Sequence, residues 1–461
     1  MKRFLLVWIC ILSVLYATLS VVRHDHFQST ATDLGIYDQA VWQYSKFVWP
    51  YNTVKDRFIL GDHLTLTLPL LAPLFWIWND ARALLVLQAV WISISVLAVY
   101  KLVRLRKFSP LVAFCISFIY SLFYGIQYGI FFDFHPVLLA VGLIPWMLYF
   151  LEAKKTKLFI GSLILLLLTQ ENMGLAVASL GCIYFFKKEY RKLSIGFILG
   201  GIVLTLISMK IVASFSPVGY QYTPHIPAQA SQFIQQLCDT SDKKLVWLYS
   251  LSAFSFLPLL SPGAMLAVIV DLAQYFVTGP EVARMWSPFL HHRAILAPFL
   301  LLGMLDVLGF LAKRKINITA IALFLVASCL VQQYIFHYPL NKLTKSEYWH
   351  VDSWITDDNT MLATIPPSMS IAAQQSLVPH LTHRKNIYLV WPRVHDAGWW
   401  LDFDSKADYL LIDNHPGIWL TMSLETHDHI AEALTNMEKL NKITLVRKIN
   451  DIELYKIIHE Q

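Results

Sequence analysis

The sequence predicts an α-helical polytopic membrane protein of about eleven spans that ends in a small extracytoplasmic α/β domain. Three observations carry this expectation. Of 461 residues, 56% are hydrophobic and only 15% charged, too apolar a balance for a soluble globule of this length. Apolar runs recur from Phe4 to Phe336, with short Lys and Arg clusters between them. After Phe336, Asp, His and Asn become frequent and the apolar runs shorten.

A spanning helix needs roughly 20 apolar residues, fewer where helices are broken around polar cavities. The clearest runs are Phe4 to Val22, Ala83 to Tyr100, Pro110 to Tyr124, Val137 to Leu151, Leu193 to Val212, Ala294 to Leu311 and Ile318 to Phe336. The first follows Lys2-Arg3, is long for a signal-peptide core and lacks a small-residue cleavage site, so it reads as a retained helix. Leu158 to Phe186 exceeds one span and is interrupted by Gln170-Glu171-Asn172, which predicts two short helices meeting at a polar turn. Leu245 to Val277 divides likewise at Ser261-Pro262-Gly263, where Pro and Gly favour a break. Leu64 to Trp78 is apolar but carries Pro69 and Pro73. Counting it as a span inverts every later loop, so residues 64–78 read as re-entrant or interfacial. The expected division is a transmembrane domain over 1–336, with a first outer loop at 23–63, and a soluble domain over 337–461. In the latter, strands are expected at Met361 to Ile365, Ile387 to Trp391, Tyr409 to Ile412, Ile443 to Val446 and Ile452 to Ile457. Helices are expected at Ser368 to Leu381 and Glu425 to Leu440. No internal repeat is visible.

The net charge of +6 sits in short loops, at Lys2-Arg3, Lys101 to Lys107, Lys154 to Lys157, Lys187 to Lys192 and Lys313 to Lys315, all on one side of the proposed threading. The excess of basic residues in cytoplasmic loops makes that side, and the amino terminus, cytoplasmic. It puts residues 23–63, Asp133 to Pro136 and the carboxy-terminal domain outside. Nucleic acid is therefore not the partner; membrane lipid is. The five cysteines show neither disulfide nor zinc spacing.

The polar chemistry gathers on the outer side. The first loop reads Thr32-Asp33-Leu34-Gly35-Ile36-Tyr37-Asp38-Gln39, and helical spacing places Asp38 about one turn beyond Asp33, as a paired-carboxylate site requires. Capping a short helix is the competing role for Asp33. Asp62-His63, Phe132-Asp133-Phe134-His135-Pro136 and Glu171 reach the same face. Ionisable groups at the ends of membrane helices are costly unless paired or solvated, so their convergence points to a polar site; an interhelical salt bridge is the simpler reading of Asp133 with His135. Arg57, His292 and Arg293 are cations on that face. Arg suits phosphate because its planar donors engage two oxygens together, whereas Arg293 snorkelling to the interface is the alternative. Asp271 lies inside an apolar run and needs a partner or cavity. His380, His383, His395, His415, His427 and His429 raise the question of a metal, but neither a His-x-x-x-His with a helical glutamate nor a cysteine partner accompanies them.

Taken together, the outer-loop string, Asp62-His63, Phe132 to Pro136, Glu171 and the Pro379-His380-Leu381-Thr382-His383-Arg384 segment resemble a family of bacterial membrane proteins grouped with GT-C glycosyltransferases. The resemblance runs from about Asp33 to Arg384. It implies a cytoplasmic-membrane enzyme with an acidic residue in its first outer loop that takes sugar from a polyprenyl-phosphate carrier. Asp33 matches the acidic position, with Asp38 as its companion. The reaction needs a base for an acceptor hydroxyl and cations for the departing phosphate, the second task falling to Arg293, His292 and Arg57. Many relatives show an adjacent acidic pair where Asp33 is followed by Leu34; metal use, with a divalent cation among the options, stays open. The rival is a transporter or lipid-handling protein in which Asp133, His135, Glu171 and Asp271 form an ion path. An internal inverted repeat would favour it.

Overall fold

The computed structural model describes residues 1–395, 398–415 and 427–459. Contacts divide the chain into two compact units: 1–19, 60–67 and 86–345 form the first; 20–59, 68–85 and 346–461 form the second.

The first unit is helical. Among the described residues, Lys2–Asp25, Arg82–Leu105, Lys188–Phe215, Val282–Lys313 and Ile318–Ile335 are long and apolar enough to cross a membrane. Pro110–Ser121 and Tyr124–Phe132 make a sixth if they count as one span bent by 44°. Pro136–Glu152, Thr156–Leu167, Met173–Phe185 and Pro262–Phe276 are shorter apolar helices. The expected breaks are present. Thr156–Leu167 and Met173–Phe185 flank the Gln170-Glu171-Asn172 elbow, and Pro262 opens the Pro262–Phe276 helix after Ser261, a first-turn position that suits a residue without an amide proton. One buried core runs through the unit, from Leu12 and Tyr16 to Leu300 and Leu325.

The second unit holds a five-stranded sheet. In spatial order its strands are Ile387–Leu389, Ile371–Ala373, Tyr409–Asp413, Ile452–Ile457 and Ile443–Ile449. The first three are parallel; the last two join antiparallel. Alternation along the strands sends Ile371, Ala373 and Leu411 into one core with Ile355 and Met361. It sends Ala372, Leu410 and Ile412 into another with Ile430, Ala433 and Leu434. Parallel strands covered on both faces carry continuous apolar runs, as the short Ile-Ala-Ala and Leu-Leu-Ile stretches do. Two expectations fail here. Met361 to Ile365 is no strand, because Ile355, Asp358 and Met361 recur every three residues and bury one face of the Ser353–Leu362 helix. Ser368 to Leu381 is no helix: Ile371–Ala373 is the strand between two parallel neighbours, and Pro379 leaves a short turn at Val378–His380. The segment after residue 64 breaks at its prolines into short turns, Leu68–Leu71 and Leu74–Ile77.

Candidate functional site

Two polar constellations stand out, one within each unit.

In the first unit, Asp62 and His63 follow the Ile59–Gly61 turn. Glycine is required there, since a Cβ on Gly61 would lie 2.4 Å from the Phe215 carbonyl oxygen. His63 Nδ1 donates to Glu171 Oε1 at 2.8 Å, and the Leu64 amide donates to Oε2 at 3.1 Å, so the elbow carboxylate holds the loop by both oxygens. Tyr220 donates to Glu171 at 3.4 Å. Burial first, and then the Glu171 charge, push its phenol above the usual value. Tyr222 stacks on His63 with centroids 4.9 Å apart and donates to Asp62 at 3.4 Å.

The Asp133-Phe134-His135 break is clamped by Gln88, which donates to the Asp133 carbonyl at 2.9 Å and accepts from the His135 amide at 2.8 Å. His135 stacks on His291 at 3.6 Å and lies 6.3 Å from His63. His292 stacks on Tyr275 at 4.7 Å. Asn172 donates to Gln274 and to the Tyr275 hydroxyl at 3.1 and 3.2 Å, and Gln274 in turn donates to Asp271 at 3.1 Å. Arg293 is wholly buried. Its Nη2 donates to the Met285 carbonyl and its Nε to Ser287 at 3.3 Å, and its guanidinium lies 5.1 and 5.2 Å from the Tyr275 and Phe276 rings. Arg293 Nη1 and both ring nitrogens of His291 have no hydrogen-bond partner among the described residues. Buried polar groups are nearly always paired, so the arrangement has room in its hydrogen bonding for a polar ligand, with Arg293 Nη1 as a donor.

In the second unit, Asp33 lies on the Ala31–Gly35 turn and accepts from the Thr30 hydroxyl at 3.0 Å. Asp38, on the Ile36–Ser45 helix, is fully buried. Its Oδ2 accepts from the Thr382 hydroxyl and lies 3.0 Å from His383 Nε2. Burial lowers the His383 imidazole, but the Asp38 charge outweighs it and His383 titrates above the usual histidine value. A cleft of about 780 Å³ opens beside this pair, lined also by His24, Asp25, Asp80, Arg82 and His380. Burial raises the Asp80 carboxyl, yet the Arg82 guanidinium 2.6 Å away holds it below the usual range. His380 stacks on His24 at 4.1 Å, and burial, reinforced by that neighbour, keeps it neutral.

Asp62, His63, Asp133, His135, Glu171, His292 and Arg293 thus share one constellation in the first unit. Asp33 and Asp38 face different partners in the second. Arg57 pairs with Asn52 in a two-residue hairpin and donates to the Lys55 carbonyl at 3.1 Å. The carboxy-terminal histidines are dispersed: His395 binds Asp402 at 2.8 Å, His415 stacks on Trp354 and His429 on Trp399, while the His427 side chain lies outside the described residues. Sequence reasoning missed Gln88, Tyr220, Tyr222 and Tyr275 and the pairing of His383 with Asp38. A tyrosine pair in an otherwise polar stretch, Tyr220-Gln221-Tyr222, was the available signal for two of them.

Two solved structures of ArnT from Cupriavidus metallidurans match the chain at 10% identity. The one bound to undecaprenyl phosphate has a TM-score of 0.55 and covers 99% of this chain and 98% of its own. The apo form has a TM-score of 0.50, with 98% of each chain covered. The likeness shows the fold. No curated protein matches the chain. The sequence model described as "Predicted membrane protein (DUF2079)" matches residues 23–437, nearly the whole length, and the chain accordingly belongs to the DUF2079 family of membrane proteins.

Proposed function

We propose that the protein is a GT-C-type glycosyltransferase that moves a sugar from a polyprenyl-phosphate donor to an acceptor outside the cytoplasmic membrane. The observation that carries this reading is Arg293, a buried guanidinium with one nitrogen unengaged. A water-poor site strengthens such a donor wherever negative charge develops, and charge develops on the lipid phosphate as it leaves. In the inverting reaction the acceptor oxygen bonds to the anomeric carbon while the bond from that carbon to phosphate oxygen breaks. The hydroxyl proton passes to a carboxylate, the role the family resemblance gives to Asp33 with Asp38 beside it in sequence. Glu171, His63, Asp62, Asp133, His135 and His292 bind and orient the donor; Arg57 adds positive charge on the outer side. The Lys and Arg clusters support about eleven spans with the amino terminus cytoplasmic and the carboxy-terminal sheet outside.

The test is purified protein incubated with a panel of radiolabelled polyprenyl-phosphate sugars. Turnover of at least one donor, abolished in Asp33→Asn, is expected. Inactivity of the folded protein toward every donor would favour transport along Asp133, His135, Glu171 and Asp271 instead.

A further inference from the structure

The cleft of the second unit differs in chemistry from the Arg293 constellation. Asp38 is 0% exposed. Its Oδ2 is engaged by Thr382 and His383, while Oδ1 has no hydrogen-bond partner among the described residues. A buried carboxylate oxygen without a donor is costly, so the arrangement favours a ligand that brings a hydrogen-bond donor.

An anionic ligand is disfavoured. The guanidinium of Arg82 is already held by Asp80 through Nε at 2.8 Å and Nη2 at 2.6 Å, and Nη1 lies 3.5 Å from Asp25. His383, the other cation, is paired with Asp38. Three carboxylates (Asp25, Asp38 and Asp80) therefore face the cleft against two cations that are both committed, which repels phosphate and suits hydroxyl groups. Trp349 also lines the cleft and is 48% exposed. Such a ring offers an apolar face of the kind on which the C–H face of a sugar packs. The volume of about 780 Å³ falls within the range of roughly 300–1,000 Å³ usual for small-ligand sites.

We infer that this cleft binds a neutral saccharide through its hydroxyls, with Asp38 Oδ1 as the acceptor that anchors it and Thr382 and His383 as positioning residues that leave that oxygen available. The transferase reading enters only in identifying this saccharide as the sugar acceptor; the binding itself does not depend on it.

The experiment is saturation-transfer NMR on the full-length protein in lipid nanodiscs with a panel of methyl hexopyranosides and methyl pentofuranosides. At least one glycoside is expected to bind. Asp38→Asn should weaken it tenfold or more and Trp349→Ala at least threefold, and inorganic phosphate at the same concentration should not displace it. Because Trp349 is half exposed, its variant reports even if Asp38→Asn fails to fold. Three results overturn the inference: no glycoside binds folded protein, phosphate displaces the glycoside, or Trp349→Ala and any folded Asp38→Asn bind like the parent. Glycoside binding that persists in protein inactive toward every donor would sink the transferase reading and leave the cleft a saccharide site.

Discussion

Arg293→Met separates the structural from the chemical contribution of the buried guanidinium, because it keeps an unbranched stem and removes the charge. Two hydrogen bonds from a charged donor, to Met285 and Ser287, vanish at about 1.5–3 kcal/mol each. Two ring contacts vanish at about 0.5–2 kcal/mol each. Against these stands the relief of burying a cation, which is several kcal/mol. The opposing contributions nearly cancel, so the variant should fold and melt within a few degrees of the parent. Catalysis has no such compensation. One preorganised donor aimed at developing negative charge contributes about 2.7–4 kcal/mol, or about 10²–10³ in rate. Single-turnover release of lipid phosphate from the donor found active should fall by that factor in Arg293→Met. It should fall less in Arg293→Lys, which retains the charge but not the planar fork. A folded Arg293→Met that keeps more than about a third of the parent rate would refute the role.

Two further outcomes follow from packing and charge. Gly125→Ala places a Cβ 2.5 Å from the Arg293 carbonyl oxygen; overpacking of this kind costs about 1–3 kcal/mol, and because the clash is with backbone it should displace Arg293, lowering both melting temperature and donor turnover. An unchanged kcat in the folded variant would show that the position of the guanidinium is not critical. In the sheet, burial and the neighbouring Asp413 carboxylate raise Asp358 from 3.8 to about 9. The folded state thus holds a proton that the unfolded state releases near pH 4. The stability this contributes is complete below pH 4 and is lost as pH rises toward 9. Asp358→Asn should remove that slope and stabilise the unit by about 1–3 kcal/mol at pH 8, read as slower amide exchange in Tyr409–Asp413. Equal pH slopes in the two proteins would contradict it.

Local signals in the sequence were sufficient for many helices of the first unit, though not for Tyr124–Phe132 or Ala230–Gln236. Apolar run length, the polar Gln170-Glu171-Asn172 interruption and the Ser261-Pro262-Gly263 break each act within one or two turns: two helices flank the first, and a helix starts at the second, although the α-helix before it already ends at Ser252. The sheet was harder to read. Ile371-Ala372-Ala373 has neither the length nor the alternation of a half-exposed strand, because the sheet is covered on both faces, Ile371 and Ala373 facing one core and Ala372 the other. What makes it a strand is the presence of Ile387–Leu389 and Tyr409–Asp413, and neither is encoded in its own composition. Conversely, Met361 to Ile365 is apolar enough for a strand, but the three-residue recurrence that buries Ile355, Asp358 and Met361 together had already committed its start to a helix.

The site divides along the same line. Asp62, His63, Glu171 and Arg293 could be singled out because a charged or imidazole group among apolar residues is conspicuous wherever it sits. Their partners could not be assigned, since His63 meets Glu171 across 108 positions and Asp38 meets Thr382 across 344. Asp33 and Asp38 illustrate the cost of reasoning from spacing alone. One helical turn apart in sequence, they suggest a pair, yet the Ala31–Gly35 turn is wound more loosely than the Ile36–Ser45 helix that follows. A looser turn changes the angle between successive side chains, and the two carboxylates part: Asp33 toward the Thr30 hydroxyl, Asp38 inward to Thr382 and His383. A five-residue irregularity in the helix thus makes two environments from what reads as one acidic motif, and two environments are what a transferase needs if one carboxylate is to accept a proton while the other holds the molecule that gives it up.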